Sequence, residues 1–276
     1  SYFHLHCKKL AKFFSAYLDD DVRRIFKKAA KQWMDSTCVD FKENECVNRI
    51  FFVQIKIAAH EIGHALGFFH THSRHDRDDY ITPNKINQYQ VKSKADNNNY
   101  GVPYDYGSVM PLNELEEIFF RSDSNYTETL GSPFISFYDI YMMNLHYNCL
   151  ERCEGVNTRC RNGGYAHPRA CYKCVCPHGY GGKLCSRRVN VFSSSNSTIF
   201  RNAIIGLRSV ISRKKLQAVL SIIHLKAPKG RKIQVKFVDF TKGADTDGCQ
   251  LAGVEIKTNE DPGLTGYRYE PSCSSN

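Results

Sequence analysis

Three observations predict an α+β chain that ends in a small disulfide-rich module and a β-sandwich. Apolar residues recur at helical spacing over 19–34, 53–66 and 134–147. Six cysteines crowd between Cys153 and Cys185. From about residue 190 onward, short stretches alternate apolar and polar side chains, as strands with one buried face do.

The elements follow in order. Leu10, Phe13, Phe14 and Tyr17 form an apolar cluster read as packing. Asp19, Asp20 and Asp21 open the first helix, where acidic groups complement the helix dipole, and Ile25, Ala29 and Trp33 recur on one face. Val53 to Leu66 reads as a second helix without proline, rich in Val53, Ile55, Ile57, Ile62 and Leu66. Thr82 to Gly107 is largely polar loop, with Asp96-Asn97-Asn98-Asn99 as its least structured part. Phe134 to Tyr147 resumes a helix with Phe137, Ile140, Tyr141, Met143 and Leu145 inward. Ala218 to Ile223 and Ile233 to Phe240 read as strands.

The chemistry concentrates in His60-Glu61-Ile62-Gly63-His64-Ala65-Leu66-Gly67-Phe68-Phe69-His70. Residues four apart share a helix face, so His60 and His64 project together. Gly67 lets the chain leave the helix through positive φ and bring His70 back. Three neutral imidazoles hold one zinc ion and leave its charge uncompensated, which acidifies a bound water. Glu61 points to a different angle from the two helical histidines. It activates that water and then hands the proton to a leaving amine. His72, His75 and His146 read as surface or hydrogen-bonded histidines, because the metal already has three protein ligands.

The stretch from His60 to Ile81, HEIGHALGFFHTHSRHDRDDYI, resembles the astacin family, a branch of the metzincin metallopeptidases. Tyr104-Asp105-Tyr106-Gly107-Ser108-Val109-Met110 resembles that family's Met-turn, which would set Met110 beneath the zinc. Ala29 to Phe41 and Gly131 to Cys149 carry further matches, and the blend looks most like nematode members. The resemblance implies a two-lobed catalytic domain over 1–150, secretion as a zymogen, and cleavage of proteins at internal bonds. It also implies a Cys38–Cys149 disulfide, which closes a long loop and is worth roughly 2–4 kcal/mol.

Three departures stand beside the matches. Family members usually carry a Tyr two residues after the Met-turn methionine, where this chain has Leu112. A leucine neither ligates nor donates a hydrogen bond, and losing one oxyanion donor costs about 10²–10³ in rate in another enzyme class. Thr71 stands where many members carry a Glu that anchors the mature N-terminus. Only Val39 to Ala59 separate Cys38 from His60, so the upper lobe is shortened and an edge strand that pairs with substrate is missing or reduced. Either the chain is a divergent paralogue or a segment has been lost from the sequence.

Residues 151–186 resemble an EGF-like module, closing on Cys176-Pro177-His178-Gly179-Tyr180-Gly181-Gly182-Lys183-Leu184-Cys185. So short a module must be stabilised by disulfides. Sequence alone allows fifteen pairings. The resemblance implies Cys153–Cys171, Cys160–Cys174 and Cys176–Cys185, with no calcium site. Residues 190–276 resemble the second half of a CUB domain around Asp247 to Lys257, with a Cys249–Cys273 bridge, and the module is read as incomplete. Cys7 and Cys46 are left over, either as a pair or each without its partner.

Twelve cysteines in 276 residues suit an oxidising compartment. Asn125-Tyr126-Thr127 and Asn196-Ser197-Thr198 are glycosylation sequons. No apolar run is long enough to span a membrane, and Ser1 opens no apolar leader, so the chain reads as a mature form or a fragment. The net charge of +10 comes from scattered Lys and Arg, read as a solvated basic surface that also suits acidic matrix polymers. No nucleic-acid motif accompanies it. The expectation is a secreted zinc endopeptidase with one Zn2+ per chain, acting on extracellular proteins such as matrix or cuticle components. The alternative is a weakly active or inactive zinc-binding matrix protein, favoured by Leu112 and the short upper lobe.

Overall fold

The computed structural model describes residues 20–41, 55–83, 90–111, 118–120, 123–130, 132, 134–188, 230, 233–235 and 254–269. Helix α1 is Asp20–Ser36 and helix α2 is Ile55–Ala65. They pack through one core: Ala29, Trp33, Ala58 and Ala59 are fully buried, with Val39, Ile62, Leu66, Val109 and Met110 around them. The Trp33 indole N–H donates to the Ala59 carbonyl at 3.1 Å, which fixes one helix on the other. The apolar face read at Ile25, Ala29 and Trp33 is the face that packs; Ile25 is only partly buried at its edge.

Strands β1 (Ile81–Pro83) and β2 (Ile118–Phe120) pair antiparallel. A second cluster, Ile81, Tyr104, Tyr106, Tyr126 and Leu130, fills the space behind the Met-turn with stacked tyrosine rings. Helix α3, Phe137–His146, starts three residues later than its apolar pattern. The reason is its cap. The Ser136 hydroxyl accepts from the Asp139 amide and the Asp139 carboxylate accepts from the Ser136 amide, a reciprocal capping box. Phe134 is left outside the helix and exposed. Cys38 and Cys149 are bonded, tying the end of α1 to the end of α3.

The cysteine-rich stretch holds the bonds Cys153–Cys171, Cys160–Cys174 and Cys176–Cys185. Its hairpin of β3 (Tyr165–His167) and β4 (Ala170–Val175) is followed by a second small ladder, β5 (Tyr180–Gly181) with β6 (Arg187–Arg188). The hairpin turn grips α1. Arg169 Nε donates to the carbonyls of Met34 and Thr37, and one terminal nitrogen donates to the Val39 carbonyl and to Asp40. Met34 lies in the last turn of α1, whose carbonyls a helix C-terminus leaves without intrahelical partners, and Thr37 and Val39 follow directly after it. His167 Nε2 donates to the Asp35 carbonyl, and Asn144 on α3 bridges Ser36 and Tyr165.

Strands β7 (Val254–Ile256) and β8 (Tyr267–Tyr269) form an antiparallel hairpin on the Met-turn side. Ile233 to Val235, read from the sequence as the start of a strand, are exposed and in no strand, since no partner strand meets them among the described residues. The stretch Ala218–Ile223, the pair Cys249 and Cys273, Asn196, Leu112, Cys7, Cys46, the 10–17 apolar cluster and most of the short upper lobe lie outside the described residues.

Arg169→Ala removes four hydrogen bonds from the end of α1. Its side chain is about a third exposed, so solvent screening limits the loss. The expected loss is about 1–2 kcal/mol, read as a lower urea midpoint with unchanged slope. An unchanged midpoint would show that the Arg169 bonds contribute nothing to stability.

Candidate metal centre

Helix α2 ends through Gly67 at φ +108°, a conformation that a side chain would strain. The Phe68 amide closes the turn on the Gly63 carbonyl, and His70 returns toward His60 and His64. The three Nε2 atoms converge: His70 lies 3.2 Å from His60 and 3.0 Å from His64. Nitrogens bound tetrahedrally at 2.0–2.1 Å lie about 3.3 Å apart, so the cluster has the dimensions of a three-nitrogen zinc site. Among the described residues it is the group of His, Cys, Asp and Glu that fits a metal ion.

Hydrogen bonds on the far side of the rings fix which nitrogens carry lone pairs. His60 Nδ1 donates to the Val109 carbonyl at 2.8 Å, and His64 Nδ1 donates to the Phe68 carbonyl at 2.9 Å. Each Nε2 is therefore left as an acceptor facing the centre. Burial, with smaller repulsion from neighbouring positive groups, lowers the pKa of His60 to about 4 and of His70 to about 3. Both stay neutral and ready to ligate throughout the physiological range. Glu61 is partly exposed, and its carboxylate takes no hydrogen bond from the described residues. It can meet a water at the centre.

Met110 is buried against Gly63 of α2. A Cβ there would meet Met110 Sδ at 2.5 Å and Trp33 at 3.6 Å. The turn carrying Met110 is held by Asp139, in the first turn of α3. One Asp139 oxygen accepts from the Ser108 hydroxyl at 2.6 Å, and the other from the Val109 amide at 2.8 Å and the Ser136 amide at 2.9 Å. Burial raises the Asp139 pKa to about 6 against the pull of those donors. Thr71, which has no charge for anchoring an N-terminus, instead bonds the Met110 carbonyl through both its amide and its hydroxyl.

The segment after His70 is locked by two buried arginines. Arg74 takes Asp76 in a bidentate pair and donates to the Val102 and Pro103 carbonyls. Burial alone would raise the Asp76 pKa; Arg74 outweighs it and holds the carboxyl below its usual range. Arg77 donates to the His72 carbonyl and to Asp78. His75 bonds Asn97 and His146 bonds the Tyr100 hydroxyl. His72 is buried beside His70 rather than at the surface.

The structure brings His60, His64 and His70 together as their spacing predicts, with Glu61 next to His60 on α2 and Met110 packed against Gly63. Sequence reading misses Asp139, Thr71 in its bonding role, and Gly63. A Ser-x-x-Asp pattern at Ser136 was the available signal for Asp139.

Asp139→Ala removes the acceptor of the Ser108 hydroxyl and of the Val109 and Ser136 amides. The expected cost is about 2–4 kcal/mol of stability, read by denaturant unfolding, together with weaker zinc binding in a chelator competition. A stability within about 0.5 kcal/mol of the parent would dismiss the Asp139 clamp.

The buried histidines also set a pH dependence. Free histidine titrates near 6.5, and these two titrate lower when folded, so the unfolded chain binds more protons as pH falls. The metal-free protein keeps this contribution above about pH 6.5. It loses it as pH drops through about 4 for His60 and about 3 for His70. Thermal melts of chelator-treated protein from pH 8 to pH 4 check this. A flat melting temperature over that span would contradict it.

Residues 52–148 match the family model of the astacin peptidases. The chain is 36% identical to the zinc metalloproteinase nas-31 of Caenorhabditis elegans, over 92% of this chain and 48% of that protein. It is 38% identical to nas-22 over 77% of this chain and 62% of the relative, and 33% identical to nas-16 over 89% and 62%, both from the same organism. The chain thus spans about half of the first relative and less than two thirds of the others. The matched stretch, residues 52–148, contains the histidine cluster, and its resemblance is to the astacin peptidases.

Proposed function

We propose that this chain is a secreted zinc-dependent endopeptidase that cleaves internal peptide bonds of extracellular proteins, with one zinc ion per chain. The observation that carries this reading is the convergence of three histidine rings, with His70 Nε2 at 3.2 Å from His60 Nε2 and 3.0 Å from His64 Nε2, beside a carboxylate with no hydrogen-bond partner among the described residues. A zinc ion held by His60, His64 and His70 would supply Lewis acidity at the centre. Glu61 is the group that would accept a proton from an attacking water and return it to the leaving amine. Val109 and Phe68 fix the His60 and His64 rings in one tautomer, with each Nε2 turned toward the centre.

The rest of the organisation extends this reading. Residues 1–150 make the peptidase unit, 151–186 an EGF-like module and 190–276 a CUB-like module that positions substrate. The disulfide order in 153–185 supports the EGF-like reading. Four disulfides favour secretion. Asn125 is exposed on its turn, as a glycosylation site must be; Asn196 is proposed as a second. A Cys249–Cys273 bridge closes the last module. Zymogen processing and matrix or cuticle substrates complete the proposal; the net charge of +10 suits acidic matrix polymers.

A second reading, a zinc-binding matrix protein with little turnover, is favoured by two observations. Leu112 replaces a hydrogen-bonding side chain. The alignment with nas-31 runs over 296 positions against 276 residues in this chain, so the relative carries segments that have no counterpart here.

Glu61→Ala is expected to keep zinc stoichiometry and abolish cleavage of a mixed fluorogenic peptide library, with loss of at least about 10²-fold. Equal cleavage by parent and variant would sink the mechanism. Leu112→Tyr is expected to raise kcat by about tenfold or more, because it restores a donor. A zinc-loaded parent and Leu112→Tyr variant that are both silent would favour the second reading.

A further inference from the structure

We propose that the C-terminal hairpin is part of the zinc site's support, with Thr265 and its neighbours acting as positioning residues for His60 through the Met-turn. The proposal rests on the histidine cluster being a zinc site. The hairpin lies far away in sequence yet buries its tip behind the turn: Thr265 is 5% exposed and Arg268 is 7% exposed. The Thr265 amide donates to Asp105 Oδ1, the same oxygen that accepts from the Gly107 amide inside the Met-turn. The Thr265 side chain fills the space where Gly107 has no Cβ; any side chain at Gly107 would collide with it.

A second line of contacts runs beside the first. The Thr129 hydroxyl, fully buried, donates to the Gly266 carbonyl and accepts from the Arg268 amide. The Tyr267 hydroxyl donates to Asp123, and its ring packs on Tyr126, extending the tyrosine cluster behind the turn. On the other flank the Tyr138 hydroxyl donates to Asp261, and Gly263 lies against the Tyr138 ring. Tyr138 is the neighbour of Asp139. The hairpin therefore holds the turn at Asp105 and Gly107 and holds the helix residue next to the Asp139 clamp. From there the path to the metal is short: Asp139 fixes Val109, and the Val109 carbonyl fixes the His60 ring.

A two-stranded hairpin has little stability of its own. This one is stiffened by Glu255, which accepts from the Gly266 amide and from Arg268, and it is placed by docking. Loosening the dock should loosen the turn and let the first histidine move. Outer-shell partners of ligating histidines typically change metal affinity about 10- to 100-fold when lost, and one step further out should do less.

The test uses the full chain and two readouts that need no turnover: the rate of zinc loss to a chelator, and the visible absorption bands of the Co2+-loaded protein. Thr129→Val, which removes both hydroxyl bonds to the hairpin, is expected to speed zinc loss about three- to tenfold and shift the cobalt bands. Thr129→Ser keeps the hydroxyl and should restore the parent values. Asp261→Ala, which frees Tyr138 from the partly exposed side of the hairpin, should act in the same direction and decides the matter if Thr129→Val does not fold. Parent-like zinc loss and cobalt bands in these variants, with hydrogen exchange showing that the 265–267 amides have lost protection, would overturn the proposal. Failure of the peptidase reading shows separately, as a zinc-loaded parent that cleaves no peptide.

Discussion

The bond from His60 Nδ1 to the Val109 carbonyl is the constraint from which the rest of the site follows. It decides which ring nitrogen keeps its lone pair, and so whether the ring can serve a metal at all. A backbone carbonyl can do this only if its own peptide is held still. Val109 is held by Asp139 through its amide, so one residue's backbone is gripped on one side and grips on the other. The core between α1 and α2 sets the height of the histidines, and the clamp from α3 sets the height of the carbonyl. Neither alone would align them.

The cost of that clamp is visible in its chemistry. Asp139 is buried with two oxygens and three donors, and burial still raises its pKa. A carboxylate in such a place is tolerated because its donors replace the water it has lost, and removing any of them would leave it worse off. The same logic covers Arg74 and Arg77, whose guanidinium groups are buried while donating to backbone carbonyls and carboxylates. The loops around the centre are irregular, and their carbonyls have few ladder partners. Buried arginines supply the missing donors.

The ligands were legible because metal chemistry imposes a fixed spacing on a helix and its exit turn. His60, His64, Gly67 and His70 obey that spacing. The helices were legible to within two or three residues, because Ala29 and Trp33, or Phe137, Ile140 and Tyr141, repeat at the helical period. The end of α3 that matters was not, since the apolar run begins at Phe134 and the capping box at Ser136 overrides it. Thr71 and Asp139 were illegible as supports because their partners are backbone groups of distant residues, which leave no pattern in composition or period. Arg169 is the same kind of case: a basic residue between two strands looks solvated until four acceptors at the end of α1 surround it.

The two faces of the Met-turn share one requirement. On the metal side, Gly63 leaves the space that Met110 fills; on the outer side, Gly107 leaves the space that Thr265 fills. In both places a missing Cβ lets two segments remote in sequence approach more closely than side chains would allow. The turn is therefore registered by steric contact front and back, and by hydrogen bonds to Asp139, Asp105 and Thr71 along its length. A motif read as one methionine under a metal is, in physical terms, a peptide loop confined on every side. The residues that confine it come from α2, α3, the segment after His70 and the C-terminal hairpin.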